Sequence, residues 1–437
     1  MHELNPPART EQSPQRRGLR FCAPAPALAL AFTAAFAVLA LVGLGCSSDD
    51  PRDVTSSGAA ERAAVASVVG DAGCAWAVRA DKETLNIAYP DTSATYWATS
   101  YQLAEGQHLE LRGTLPQAEY ASLITYGPSG GALDALTDHE IELDEGAANP
   151  LTVMTLATPD GPPTYTAAIT ARPPHSDPAR RNDLAAGTAE GSQPLSGTVL
   201  YRVYLPDEAG DPTGGVGLPE VSVVGPGTTR TPIATCAKPG PSAAARALVE
   251  QYGPSTDRAI PTEPIFIRPG ALAATLYPNL DNLYLATIAA HEPGRVVVVT
   301  GTAPRIDRPA FHPPGVNGVR FWSVCTNEFV KPYPVSSCAS HRDIALDENE
   351  RFTIAISTKA DRPANATAAN DVTWLDWGAT DTPLLVLIRH LLPSPDEPTS
   401  AANLAPESLA ITSMGPYAPI GRLCTTATFE TAGPTAC

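Results

Sequence analysis

The sequence predicts an all-β dominated chain: two tandem β-sandwich (jelly-roll-like) domains joined by a short helical connector. Three observations predict it. Proline (45) and glycine (33) are abundant in the 437 residues, and both interrupt helices more than they interrupt short strands joined by turns. Apolar residues recur in short alternating runs such as Leu109-Glu110-Leu111-Arg112, the pattern of a half-buried strand. Above all, the chain repeats itself.

The repeat is a collinear series. Tyr89-Pro90-Asp91 returns as Tyr277-Pro278-Asn279, and Tyr96 with Ala98-Thr99 returns as Tyr284 with Ala286-Thr287, all at an offset of 188. Gly106 meets Gly294, and Gly113-Thr114 meets Gly301-Thr302, at the same offset. Leu143-Asp144 meets Leu346-Asp347 at 203, which places extra residues in the second copy, among them the Pro-rich Arg308–Gly318 stretch. Arg202-x-x-Leu205-Pro206 meets Arg389-x-x-Leu392-Pro393 at 187, and Cys236 meets Cys424 at 188.

Taken in order, residues 1–45 read as a lipoprotein-type signal peptide. Arg16, Arg17 and Arg20 precede an apolar stretch from Ala27 to Leu44, and Gly45-Cys46 follows. Cys46 is the expected lipid attachment site, although Gly43-Leu44 departs from the usual order of a leucine and then a small residue before that cysteine. Residues 46–73 are small and polar and read as a flexible tether. Residues 74–237 form the first sandwich copy. Residues 238–262 form a linker whose Ser242–Tyr252 segment is the clearest helix, and residues 263–437 form the second copy.

Charge and cysteine content narrow the function classes. The net charge of −17 argues against a nucleic-acid partner, because phosphate recognition needs clustered Lys and Arg. An even set of six cysteines follows Cys46: Cys74, Cys236, Cys325, Cys338, Cys424 and Cys437. In an exported chain such a set implies disulfides. Cys325 with Cys338 is the first expected pair, because the two flank a Pro-containing loop between strands.

Pro278-Asn279-Leu280-Asp281-Asn282-Leu283-Tyr284 resembles the Pro-Asn-x-Asp-x-x-Tyr opening of a large bacterial family of unknown function. Trp374-Leu375 and the later Arg389-to-Pro393 strand resemble that family's ending, with Thr373 and Asp376 in place of its Asn and Pro. The resemblance implies a β-sandwich followed by a jelly-roll-like domain. It implies no reaction.

Candidate chemistry is sparse. Gly127-Pro128-Ser129-Gly130-Gly131 has the Gly-x-Ser-x-Gly spacing of a hydrolase nucleophile elbow, with His139 or His175 as candidate base; the same run also suits a hairpin turn. Asp207, Glu208 and Asp211, before Gly214-Gly215-x-Gly217, offer carboxylates for a calcium ion, or make a solvated acidic turn. Trp322, Trp374 and Trp377 would form an aromatic platform for a sugar if they share one face, or would pack the core. No cofactor is implied. The resulting expectation is an envelope protein, lipid-anchored to a membrane facing periplasm or cell exterior. It binds a carbohydrate, another ligand or an envelope protein without catalysis, or has a structural role; an exported serine hydrolase using Ser129 is the alternative. The shared Tyr, Gly and Arg-x-x-Leu-Pro positions read as scaffold. Function is expected where the copies differ: at Arg308–Gly318, the Cys325–Cys338 loop and the Asp207–Gly217 turn.

Overall fold

A computed structural model describes residues 68–69, 72–152, 163–174, 181–188, 194–208, 210–227, 229–253, 255–270, 277–306 and 318–437. The signal segment, Cys46, His175 and all of the Arg308–Gly318 insert except Gly318 lie outside the described residues.

The chain forms two sandwiches of the same topology. In the first copy, β1 (Val78–Ala80), β2 (Ala94–Leu103), β8 (Leu195–Pro206), β4 (Ala118–Tyr126) and β5 (Ala132–Thr137) make one sheet, in that order. The order β10 (Arg230–Ile233), β9 (Glu220–Val224), β3 (His108–Thr114), β6 (Thr164–Thr170) and β7 (Asp183–Ala185) makes the other. In the second copy the first sheet is β11 (Asn282–Ala289), β17 (Leu384–Leu391), β13 (Phe321–Glu328) and β14 (Val335–Ser340). Its second sheet is β16 (Val372–Asp376), β15 (Arg351–Ser357), β12 (Arg295–Thr302) and β18 (Ile420–Thr425). The order β2-β8-β4-β5 thus repeats as β11-β17-β13-β14. The parallel strand pair β6 with β7 of the first copy repeats as β15 with β16.

Each core lies between its own two sheets, as the alternation predicts. Leu109 and Leu111 of β3 are buried with Trp97, Tyr201 and Val203 from the facing sheet. Glu110 points outward to Arg112 and Arg230. The corresponding strand β12 is apolar throughout because both of its faces are covered. Val297 and Val299 join the sandwich core, while Val296 and Val298 pack under Phe429 of the short C-terminal helix Thr426–Ala432.

The shared glycines have a packing reason. A Cβ on Gly113 would lie 2.6 Å from the Tyr165 ring, and one on Gly301 would lie 2.6 Å from the Phe352 ring. Tyr165 and Phe352 are themselves equivalent, so each copy lays an aromatic ring over a bare backbone. These positions are scaffold, as expected.

The connector helix forms where its signals place it. Helix α1 (Ala243–Tyr252) is capped by the Ser242 hydroxyl, which accepts from the Ala245 amide at 3.2 Å, and it ends at Gly253. Val249 and Ala245 pack on Leu85, Ile87 and Tyr333, so the helix touches residues of both copies.

The six cysteines form three disulfides: Cys74–Cys236, Cys325–Cys338 and Cys424–Cys437. The expected Cys325–Cys338 pair is present, joining directly opposed residues of β13 and β14. The equation of Cys236 with Cys424 is corrected. Cys424 pairs with Val296 of β12, and 296 − 188 = 108; His108 of β3 pairs with Val224. Val224 therefore occupies the place of Cys424, while Cys236 ties down the segment before β1.

His390 of β17 is buried in the second core, and its Nδ1 accepts from the Ala401 amide at 2.9 Å. Burial pushes its pKa down to about 4. The unfolded chain binds this proton more readily, so the contribution is fully present above the ordinary histidine pKa and is lost as pH falls. We expect a loss of about 3 kcal/mol between pH ~6.5 and ~4. His390→Asn retains an acceptor for Ala401. It should flatten the pH dependence of the unfolding free energy in that window; an unchanged slope would contradict the assignment.

Candidate functional site

The two copies meet through their equivalent sheets, β2-β8-β4 against β11-β17-β13, and equivalent residues make equivalent contacts. The apolar centre is Ala94, Tyr120 and Tyr204 from one copy with Phe321 and Leu391 from the other. Around it lie three fully buried arginines, Arg202, Arg320 and Arg389. Arg320 crosses to Asp138 with a bidentate pair at 2.8 and 3.1 Å, and its Nε donates to the Glu119 carbonyl at 2.6 Å. At the counterpart place, His341 of the second copy faces Glu119 of the first at 3.8 Å.

The Arg-x-x-Leu-Pro and Tyr-Pro motifs recur together because they contact each other across this joint. Arg389 donates to the carbonyl of Tyr89, and Arg202 donates to the carbonyl of Tyr277 at 3.0 Å. Both tyrosines have left-handed backbone (φ 57 and 50), as do both leucines of the arginine motif, Leu205 and Leu392 (φ 44 and 46). Such conformations are costly for non-glycine residues and persist only when the surroundings fix them. Here the leucine amides are held by the carbonyls of Ser93 and Asp281, again at equivalent places.

One side of the joint is closed and the other is open. On the closed side Arg389 ion-pairs with Asp91 at 3.3 Å, and its Nη1 lies 2.8 Å from the Cys325 sulfur of the disulfide. Asp91 also accepts from the Ser323 hydroxyl at 2.6 Å and the Ser93 amide at 2.9 Å. On the open side a cavity of about 160 Å³ runs from Arg202 and Asn279 past Tyr96 and Leu200 to Ile87 and Ala245. Its far wall is apolar. Its inner end is lined by tyrosines and the two arginines.

The sequence candidates lie elsewhere. Ser129 is exposed in the hairpin turn between β4 and β5, where Gly127 and Gly131 close the loop. The residues after it form strand β5, so the expected turn of helix is replaced by an edge strand. His139 lies beyond the far end of β5, which at ~3.3 Å per residue is about 20 Å away, and it bonds Thr137. An elbow with a base at hand is therefore absent among the described residues.

Asp211 is occupied by the Thr213 amide and hydroxyl at 2.8 and 2.6 Å. Asp207 and Glu208 are exposed, and the three carboxylates do not gather as an ion-binding set among the described residues. That turn is the solvated one.

The tryptophan platform is also corrected. Trp322 and Trp377 are buried in the second core, against Phe352 and His291 respectively. Trp374 stands three residues from Trp377 and points to the opposite face. There it lies under Arg362 and donates to the Ser357 hydroxyl. Period-two geometry separates residues three apart, so no common face exists.

The tyrosines and arginines at the inner end of the cavity belong to the shared motifs that the sequence reads as scaffold. The signal that could have found them is a polar mismatch inside the shared motif: Asp91 in the first copy against Asn279 in the second.

The chain matches no protein-family model and no curated protein. Among solved structures it is similar to an uncharacterized protein from Burkholderia cenocepacia, at 14% identity and a TM-score of 0.47, over 84% of this chain and 87% of that one. It is also similar to a protein from Vibrio parahaemolyticus, at 11% identity and a TM-score of 0.38, over 77% of this chain and 90% of that one.

Proposed function

We propose that this is an exported, lipid-anchored envelope protein that binds a small ligand, without catalysis, in the cavity between its two copies. The observation that carries the reading is that cavity. It is open, largely apolar-walled and about 160 Å³ in volume, and it ends on fully buried arginines. Concave sites with apolar walls and a few convergent polar groups are the usual form of small-molecule sites, and they favour domain junctions. Export is supported by the basic, apolar and Cys46 order of the N-terminus and by three disulfides, which persist in oxidising compartments. No helix among the described residues is long and apolar enough to cross a membrane, and the proposed attachment is through Cys46.

Two measurements test this. Labelled palmitate should be incorporated into the native chain and not into Cys46→Ala; label retained in the variant overturns the anchor. In a thermal-shift screen of small amphipathic compounds, hits should raise the native melting temperature. The shift should shrink in Leu200→Trp, which fills the cavity; equal shifts in both proteins overturn the site.

A further inference from the structure

The local symmetry is broken at Asp91 and Asn279, and the break leaves unpaired donors on two buried residues that line the cavity. In both copies the Asx side chain after Tyr-Pro closes a turn with one oxygen. Asp91 Oδ1 accepts from the Ser93 amide at 2.9 Å, and Asn279 Oδ1 accepts from the Asp281 amide at 3.1 Å. That backbone donor fixes which way the Asn279 amide points. The second atom therefore differs in kind. On the closed side Asp91 Oδ2 is an acceptor and meets Arg389. On the open side the equivalent atom is Asn279 Nδ2, a donor, and it has no hydrogen-bond partner.

Arg202, the counterpart of Arg389, is correspondingly left without a carboxylate. Its Nη2 donates to the Tyr126 hydroxyl at 2.6 Å and to the Tyr277 carbonyl, but Nε and Nη1 have no partner. Among the described residues it makes no ion pair. Arg202 is 2% exposed and Asn279 5% exposed, and both line the cavity. The Tyr96 and Tyr126 rings lie 5.7 and 5.5 Å from the guanidinium and supply weak cation–π attraction only. Asp281 does not close the gap. Its carboxylate accepts the Tyr120 hydroxyl at 2.5 Å and feels the Arg202 charge without a hydrogen bond or ion-pair contact to it, and burial pushes its pKa up to about 6.

Buried polar groups are normally paired, and buried charges more strictly so. An acceptor bearing negative charge satisfies Arg202 and Asn279 together, and the rest of the cavity suits an apolar body. We propose that the cavity binds an amphipathic carboxylate, aliphatic or aryl, with its carboxyl group on Arg202 and Asn279 in the place that the Asp91 carboxylate takes on the other side. This rests on the reading of the joint as a ligand site and adds the chemical class of the ligand.

Calorimetric titration of the full chain with octanoate, 3-phenylpropanoate, octanol and octylammonium tests it. A charge-assisted contact implies that at least one of the two carboxylates binds about 10- to 100-fold more tightly than octanol, with octylammonium weakest. Arg202→Met should remove that preference. Asn279→Asp keeps the arginine and supplies the missing carboxylate from within, so it should weaken carboxylate binding as well and, unlike Arg202→Met, raise the melting temperature. Octanol binding as tightly as the carboxylates, or Arg202→Met leaving their affinity unchanged, overturns the carboxylate assignment while the ligand site stands. No binding by any of the four overturns both.

Discussion

Asp91→Ala should destabilise the protein by about 3–5 kcal/mol, the cost of leaving one member of a buried ion pair alone. Asp91 is fully buried, and its loss strands Arg389, which is equally enclosed, along with the Ser323 hydroxyl. Replacing both charged residues, Asp91→Ala with Arg389→Met, should recover much of that cost, because apolar substitutes of similar size require no desolvation. Arg202→Met is the internal control. It removes an equivalent arginine that has no paired carboxylate, and leaves only the Tyr126 hydroxyl and the Tyr277 carbonyl short of a donor. Its cost should be about 1–2 kcal/mol. Urea unfolding of the native protein and the three variants reads these values. Equal costs for Asp91→Ala and Arg202→Met would mean that the two sides of the joint are not electrostatically distinct.

The second large effect is expected at Cys74–Cys236. This bridge closes a sequence separation of 162, against 13 for Cys424–Cys437. On the chain-entropy view, the long loop is worth about 5 kcal/mol and the short one about 3 kcal/mol. The long bridge also holds the segment containing Trp76, which is fully buried and donates its indole N–H to the Pro219 carbonyl at 2.7 Å. Cys74→Ala with Cys236→Ala should therefore lower the urea midpoint more than the matching pair at Cys424 and Cys437, in non-reducing buffer. The reverse order would show that native packing around the C-terminal helix outweighs loop length.

The fold was readable from sequence because its determinants are local and repeated. Alternation in β3, the Ser242 cap of α1 and the glycines under Tyr165 and Phe352 each act on a few neighbouring residues, and each recurs or carries its own signal. The Cys325–Cys338 pair was readable for the same reason: a short loop between two strands leaves little choice. Two failures have a common cause. Cys236 was equated with Cys424 by distance along the chain, although strand pairing puts Val224 there. The tryptophan platform needs one shared face, although the alternation of a strand turns Trp374 away from Trp377.

The joint was not readable. Nothing in one strand says that its outer face meets the same face of a second copy. The motif that does so looks identical to scaffold until Asp91 and Asn279 are seen to hold opposite chemistry at one place. A repeat register can expose such a site only when its few mismatched polar residues are weighed ahead of its many matches.

The most direct test of the joint as the binding site is anomalous diffraction from a crystal of the full chain grown with a terminally brominated alkanoate. The expected result is a bromine peak inside the cavity near Leu200 and Ile87, with the carboxylate on Arg202 and Asn279. A bromine peak only on the outer surface, or none at a concentration that saturates binding in solution, would contradict it.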